Sequence, residues 1–327
     1  MKMSLFKKLI HYYLYFPISK ILSLLDFIAN WKDKRDTKKN FLSNGIGMDE
    51  DIIDLCDQVG RNIQPKLTNL KTIKHESKKD INSILCSFTP PVLTDQFPQR
   101  LQDFCREKAP SESTDAYFLA VIPNDIYDPE KNFEETVKSC DKYQKFNIMM
   151  SAQGMENFGL RAKKVGKPLA KKGIITIIHC SPFYGLRKSG KNKHGHVLDS
   201  LGEFMALGGM SVTEIQAIAY YLHELIEPKL CISGMSMGGM LSSRAFIHMK
   251  IRCSHAALFT SYTGHEVWMD GLQKSRWSFD DVKSNPGGEK YPTRESMRPL
   301  FQRVFGIDSE PAPQNRKLSV QVSCVDD

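Results

Sequence analysis

The chain has 327 residues, 41% hydrophobic and 10% aromatic, enough to close a core for one large domain with appendages or two modest ones. Its formal charge of +8 comes from 45 Lys+Arg against 37 Asp+Glu. These charges are spread along the chain with no sustained basic block beside aromatics, which argues against nucleic acid as a partner; a mildly basic surface suits an anionic membrane about as well as plain solvent. The cysteines Cys56, Cys86, Cys105, Cys140, Cys180, Cys231, Cys253 and Cys324 make no C-x-x-C pair and no Cys/His cluster at zinc-ligand spacing. Free thiols are expected, with no structural metal and no cofactor.

Residues 1–31 read as a targeting or membrane-associated segment. No acidic residue occurs before Asp26, while Lys2, Lys7, Lys8 and Lys20 punctuate a run rich in Leu, Ile, Tyr and Phe. His11, Pro17 and Lys20 interrupt the roughly 20 apolar residues that a spanning helix needs. The readings are a secretory signal or anchor with residues 1–8 as its positive region, a mitochondrial presequence, an amphipathic helix lying on a membrane, and a helix packed on its own domain. Lack of arginine counts against the presequence, and the scarcity of small residues after Leu25 counts against a cleaved signal. The localisation expected is membrane-associated or organellar.

Residues 32–115 read as a divergent, helical N-terminal extension and linker. The charge run 32–39 suits a solvated linker, and 49–63 carries apolar residues at helical spacing. Pro110, Ser111, Ser113 and Thr114 mark a loop leading into residues 116–327. There, short apolar runs at 116–122, 146–151, 174–179, 230–233, 256–260 and 318–324 alternate with helix-length stretches at 157–171, 212–227 and 237–249. Runs buried on both faces and separated by helices predict an α/β fold with a mostly parallel central sheet. Ser211 and Glu214 fit a capping box that opens the helix over 212–227, whose stripe is Ile215, Ile218, Leu222, Leu225 and Ile226.

Gly234-Met235-Ser236-Met237-Gly238 is the stretch that points to chemistry. A bare G-x-S-x-G pattern arises by chance in a chain of this length about one time in ten. This one has a strand candidate directly before it and a helix candidate directly after, the setting that exposes a nucleophilic serine at a sharp turn. Glycine suits positions 234 and 238 because a Cβ there meets neighbouring backbone. The helix N-terminus then aims the Met237 backbone N–H at a developing oxyanion. A second donor is expected from the small-residue turn at 151–155, after the strand at 146–150.

With Pro182-Phe183-Tyr184-Gly185-Leu186-Arg187-Lys188, Ser200-Leu201, Phe204, Gly208-Gly209-Met210, the Ser236 motif, Lys274-Ser275 and Trp277 in place, the chain resembles the α/β-hydrolase-domain-containing protein 18 family over residues 146–327. The resemblance implies an α/β-hydrolase fold and ester or acyl hydrolysis through an acyl-enzyme, with substrates that lean towards lipids. It implies Ser236 as nucleophile, Asp327 as the acid, and Met237 and Gly154 as oxyanion donors. Residues 153–158 depart from the family's His- and Gly-rich stretch, and Gly154 is the position that matches.

In this fold the triad histidine follows the acid, and no histidine follows His265 in the sequence. His265 with Asp270 or Glu266 is a weak substitute, and His179, His194 and His196 precede the nucleophile. The expectation is a core that lacks the last strand and helix, read as a truncated form of an active enzyme. The alternatives are a non-catalytic hydrolase-fold protein that binds an acyl ligand or a partner, and acyl transfer on the same residues.

Overall fold

In the computed structural model, strands form where the sequence concentrates β-branched and aromatic residues. The structure describes residues 42–78, 81–190, 198–260, 264–271, 274, 277–306 and 319–322. The N-terminal segment 1–31 and the charge run 32–39 lie outside the described residues. Runs such as Ala-Tyr-Phe-Leu-Ala-Val-Ile and Ile-Ile-Thr-Ile-Ile-His-Cys become β3 (Ala116–Ile122) and β5 (Ile174–Cys180). Both are almost wholly buried, as strands covered on two faces must be.

The sheet order is β1-β2-β3-β5-β4-β6-β7-β8, with β4 at Lys145–Met150, β6 at Lys229–Met235, β7 at Cys253–Leu258 and β8 at Ser319–Val322. Strands β5, β4, β6, β7 and β8 run parallel, and β3 is antiparallel to β5. All the parallel strands therefore present their C-terminal ends at one edge, where open α/β sheets place their sites.

The region before residue 116 corrects one expectation. Helix α1 (Asp51–Asn62) forms where the apolar spacing predicts it. The chain then makes a hairpin, β1 (Thr68–Lys78) and β2 (Ile81–Thr89), that pairs with β3 and extends the central sheet. β1 has no fully buried position and carries three lysines; a charged edge strand of this kind resists edge-to-edge pairing and offers no apolar run to read. Helix α2 (Gln99–Lys108) follows β2, and α3 (Phe133–Lys138) follows β3.

An irregular helix, α4, runs through Gly159–Arg161, a π turn at Ala162–Gly166, and Lys167–Ala170. The main helix, α5 (Leu201–Ile226), starts ten residues before the expected cap. Ser200 caps it, accepting from the Glu203 N–H at 3.1 Å. Ser211 is buried inside the helix, and Glu214 is buried among charged partners. Gly208 and Gly209 look like helix breakers in sequence, but burying this helix outweighs their roughly 1 kcal/mol propensity cost each. Helix α6 (Met237–Ile247) follows β6, and α7 (Gly264–Met269), α8 (Phe279–Ser284) and α9 (Arg298–Phe305) follow β7. No helix among the described residues is long and apolar enough to cross a membrane.

His255 sits in the core on β7, stacked on Phe246 at 4.9 Å, with Nε2 3.1 Å from the Ser242 hydroxyl. Burial holds its pKa down to about 4 from an ordinary 6.5. Between those values the unfolded chain binds more protons than the folded one, so stability rises with pH and is lost as pH falls through that window. Denaturant unfolding at pH 7 and pH 5 should differ by about 2 kcal/mol from this group. A His255→Gln variant should show a difference smaller by about that amount.

Candidate active site

Ser236 takes φ 54° and ψ −124°, a left-handed conformation that a non-glycine residue holds only under constraint. Three hydrogen bonds supply the constraint. The Ser236 N–H donates to the Leu258 carbonyl at 2.9 Å, and the Ser236 carbonyl accepts from Gly239 N at 2.8 Å and Met240 N at 3.1 Å. The turn is thereby anchored to β7 on one side and to the first turn of α6 on the other, and Ser236 is exposed.

The glycines are required for the reason expected from sequence. A Cβ on Gly234 would lie 2.1 Å from the Gly238 carbonyl oxygen, and one on Gly238 would lie 2.5 Å from the Ser151 oxygen and 2.8 Å from the Met150 oxygen. Those contacts also show that the end of β4 presses directly against the start of α6. Met237 is the first residue of that helix, where backbone N–H groups lack intrahelical partners and the helix dipole favours negative charge.

The loop after β4 begins with Ser151, whose hydroxyl donates to the His179 carbonyl at 3.1 Å. Residues 152–155 form a turn closed by Met155 N to Ala152 O at 3.3 Å, with Gly154 at φ 76°, the position where a type II turn requires positive φ. Burial pushes the Tyr184 hydroxyl pKa well up, and the Gly154 backbone N–H partly offsets the rise.

The remaining candidates fall in several places. Asp327 lies outside the described residues, as do His194 and His196. Strand β8, which precedes Asp327, pairs Val322 with Leu258, so it ends at the edge that carries Ser236. Among the described residues, no imidazole or carboxylate hydrogen-bonds the Ser236 hydroxyl. His265 is buried, with Nε2 3.5 Å from Gln302 Nε2. Asp270 is held at 2.8 and 3.1 Å by Arg298, which keeps its carboxyl below the usual range; it forms no dyad with His265. His179 is fully buried, with Nε2 2.6 Å from Glu214 Oε2. A cleft of about 660 Å³ beside Arg100, Phe104, Lys108 and Lys290 does not include Ser236.

Sequence reading missed the cluster of His179, Glu214 and Arg187. Arg187 stood out only as part of the 182–188 motif, and Glu214 fitted a capping box; a carboxylate on the apolar side of a helix stripe was the available signal.

The family described as alpha/beta hydrolase domain containing 18 matches residues 29–311. The chain belongs to that family. The match takes in the β1–β2 hairpin, well before the residues from 146 onwards that carry the resemblance. The family's α/β-hydrolase character supports hydrolysis as the reaction class. Acetyl xylan esterase 1 from Thermoanaerobacterium sp. JW/SL YS485 is 10% identical with a TM-score of 0.46, covering 82% of this chain and 76% of its own. Acetyl xylan esterase from Paenibacillus sp. R4 is 8% identical with a TM-score of 0.48, covering 79% and 73%. The rice cell wall degrading esterase LipA from Xanthomonas oryzae is 13% identical with a TM-score of 0.34, and the match covers 63% of this chain and 53% of LipA. The chain thus spans about half the length of LipA.

The turn geometry has a direct test. Gly238→Ala should cost about 3 kcal/mol, because rigid backbone receives the new methyl group. Gly209→Ala, in α5 with nothing within 4 Å of its Cβ position, should be neutral or stabilising by up to about 1 kcal/mol. Urea unfolding of the two variants checks the contrast.

Proposed function

We propose that this protein is a serine hydrolase acting on a lipid or other acyl ester through an acyl-enzyme on Ser236. The observation that carries this reading is the strained, exposed Ser236 held between β6 and α6, because strain of that kind is kept where a side chain must be presented for reaction.

In this mechanism the Ser236 hydroxyl attacks the ester carbonyl and gives its proton to a base oriented by the Asp327 carboxylate. The carbonyl π electrons move onto oxygen, where the N–H groups of Met237 and Gly154 stabilise the oxyanion. Collapse expels the alcohol with the proton, and water then cleaves the acyl-enzyme by the same route in reverse. An apolar acyl group is supported by Leu258, the last residue of β7, whose carbonyl takes the Ser236 N–H, and by Phe259 directly after it; they are 36% and 56% exposed. Phe259 also has φ 52°, a rare conformation for an aromatic residue.

A second reading is a non-catalytic acyl-binding protein of the same fold. The observation in its favour is that no described imidazole meets Ser236, and a serine without its base loses orders of magnitude in rate.

A fluorophosphonate probe separates the two. Wild type should label and Ser236→Ala should not; equal labelling of both removes Ser236 as nucleophile. With p-nitrophenyl esters, Phe259→Ala should raise KM for a decanoate roughly ten-fold, the loss of about 1.4 kcal/mol of apolar contact. KM for the acetate should be unaffected.

A further inference from the structure

Arg187, Glu214 and His179 have no exposed side-chain surface. Arg187 grips Glu214 bidentately, Nη1 to Oε2 at 2.7 Å and Nη2 to Oε1 at 2.8 Å. Burial lowers the His179 pKa and so favours a neutral imidazole, whose Nε2–H donates to Glu214 at 2.6 Å. Burial alone would raise Glu214, but Arg187 and His179 together outweigh it and hold the carboxyl low, so the cluster is one paired carboxylate and guanidinium.

The cluster does more than pair its own charges. Arg187 Nη1 also donates to the Cys180 carbonyl at 3.0 Å and Nη2 to the Ser113 carbonyl at 3.0 Å. The Ser113 hydroxyl donates to the Arg187 carbonyl at 3.0 Å and accepts from Phe183 N at 3.3 Å. Residues 181–188 are thus folded onto β5, with buried Phe183 at φ 69°, a conformation a bulky residue keeps only when its surroundings impose it.

This segment in turn clamps the loop after β4. Gly185 N donates to Glu156 Oε2 at 3.2 Å, and Lys188 Nζ lies 3.2 Å from Glu156 Oε1. A Cβ on Gly185 would lie 2.2 Å from the Glu156 carbonyl oxygen. At its other end the loop abuts the nucleophile turn through Ser151 and Gly238.

We propose that Arg187, Glu214 and His179 are positioning residues that hold residues 151–156, the loop bearing the second oxyanion donor, against the Ser236 turn. The assignment rests on the hydrolase reading for its catalytic consequence, but not for its structural one. Buried ion clusters are often no more stabilising than apolar replacements, so a cluster with this many directed bonds to backbone suits a geometric role.

The test uses the full chain and two variants. Arg187→Met/Glu214→Met removes both charges and leaves no unpaired ion. Glu156→Ala cuts the clamp at its loop end and leaves the buried cluster intact. Hydrogen–deuterium exchange should rise at least ten-fold at the amides of residues 152–156 in both variants and of 181–188 in the double variant, with β6 and α6 unchanged. Fluorophosphonate labelling of Ser236 should slow ten-fold or more, as for loss of one oxyanion donor. Unchanged exchange in 152–156 overturns the proposal, and so does a uniform rise that includes β6 and α6, which is the mark of a merely stabilising cluster. Wild-type labelling rates in variants with loosened loops overturn the catalytic consequence. If wild type itself does not label, the hydrolase reading fails, while the exchange result still decides whether the cluster holds the loop.

Discussion

Ser236 occupies backbone space that an L-residue avoids, and the rest of the site is arranged to keep it there. The Leu258 carbonyl takes its N–H, the first turn of α6 takes its carbonyl, and glycines at 234 and 238 admit backbone to within van der Waals contact. None of these devices works alone. The hydrogen bond needs β7 in parallel register with β6, and the close approach of Gly238 needs β4 on the other side of β6. Three adjacent strands therefore set the position of one hydroxyl, and their common direction brings the surrounding loops to the same edge.

Two kinds of force act on that edge. Apolar packing holds α5 and α6 against the sheet and depends little on orientation. The cluster of Arg187, Glu214 and His179 acts by direction, because a bidentate pair away from water tolerates little departure from its geometry. The desolvation cost of three polar side chains is offset only while every partner is present. That cost explains why Cys180 and Ser113 contribute backbone carbonyls to the same guanidinium.

Much of the architecture was legible in the sequence. β3 and β5 are nearly continuous apolar runs, and the nucleophile turn is marked by glycines whose steric reason is local. The β1 edge strand was not legible, since Thr68–Lys78 is polar and alternates at the surface. The start of α5 differs from the sequence reading because Ser211 and Glu214 match a capping box, while the helix begins at Leu201 and buries both residues. A capping box and a buried ion partner look alike until the helix is known to have begun at Leu201.

What the sequence determined by itself was the set of local requirements: which runs form strands, where glycine must stand, and which serine sits at the turn. These follow from sterics and burial over a few neighbouring residues. Only the tertiary structure decided which distant groups meet. It buried Arg187 and His179 against Glu214, placed His265 beside Gln302, and set Phe259 next to the nucleophile turn. Such pairings join residues tens of positions apart, and their energy depends on desolvation and direction that exist only once the sheet and helices have packed.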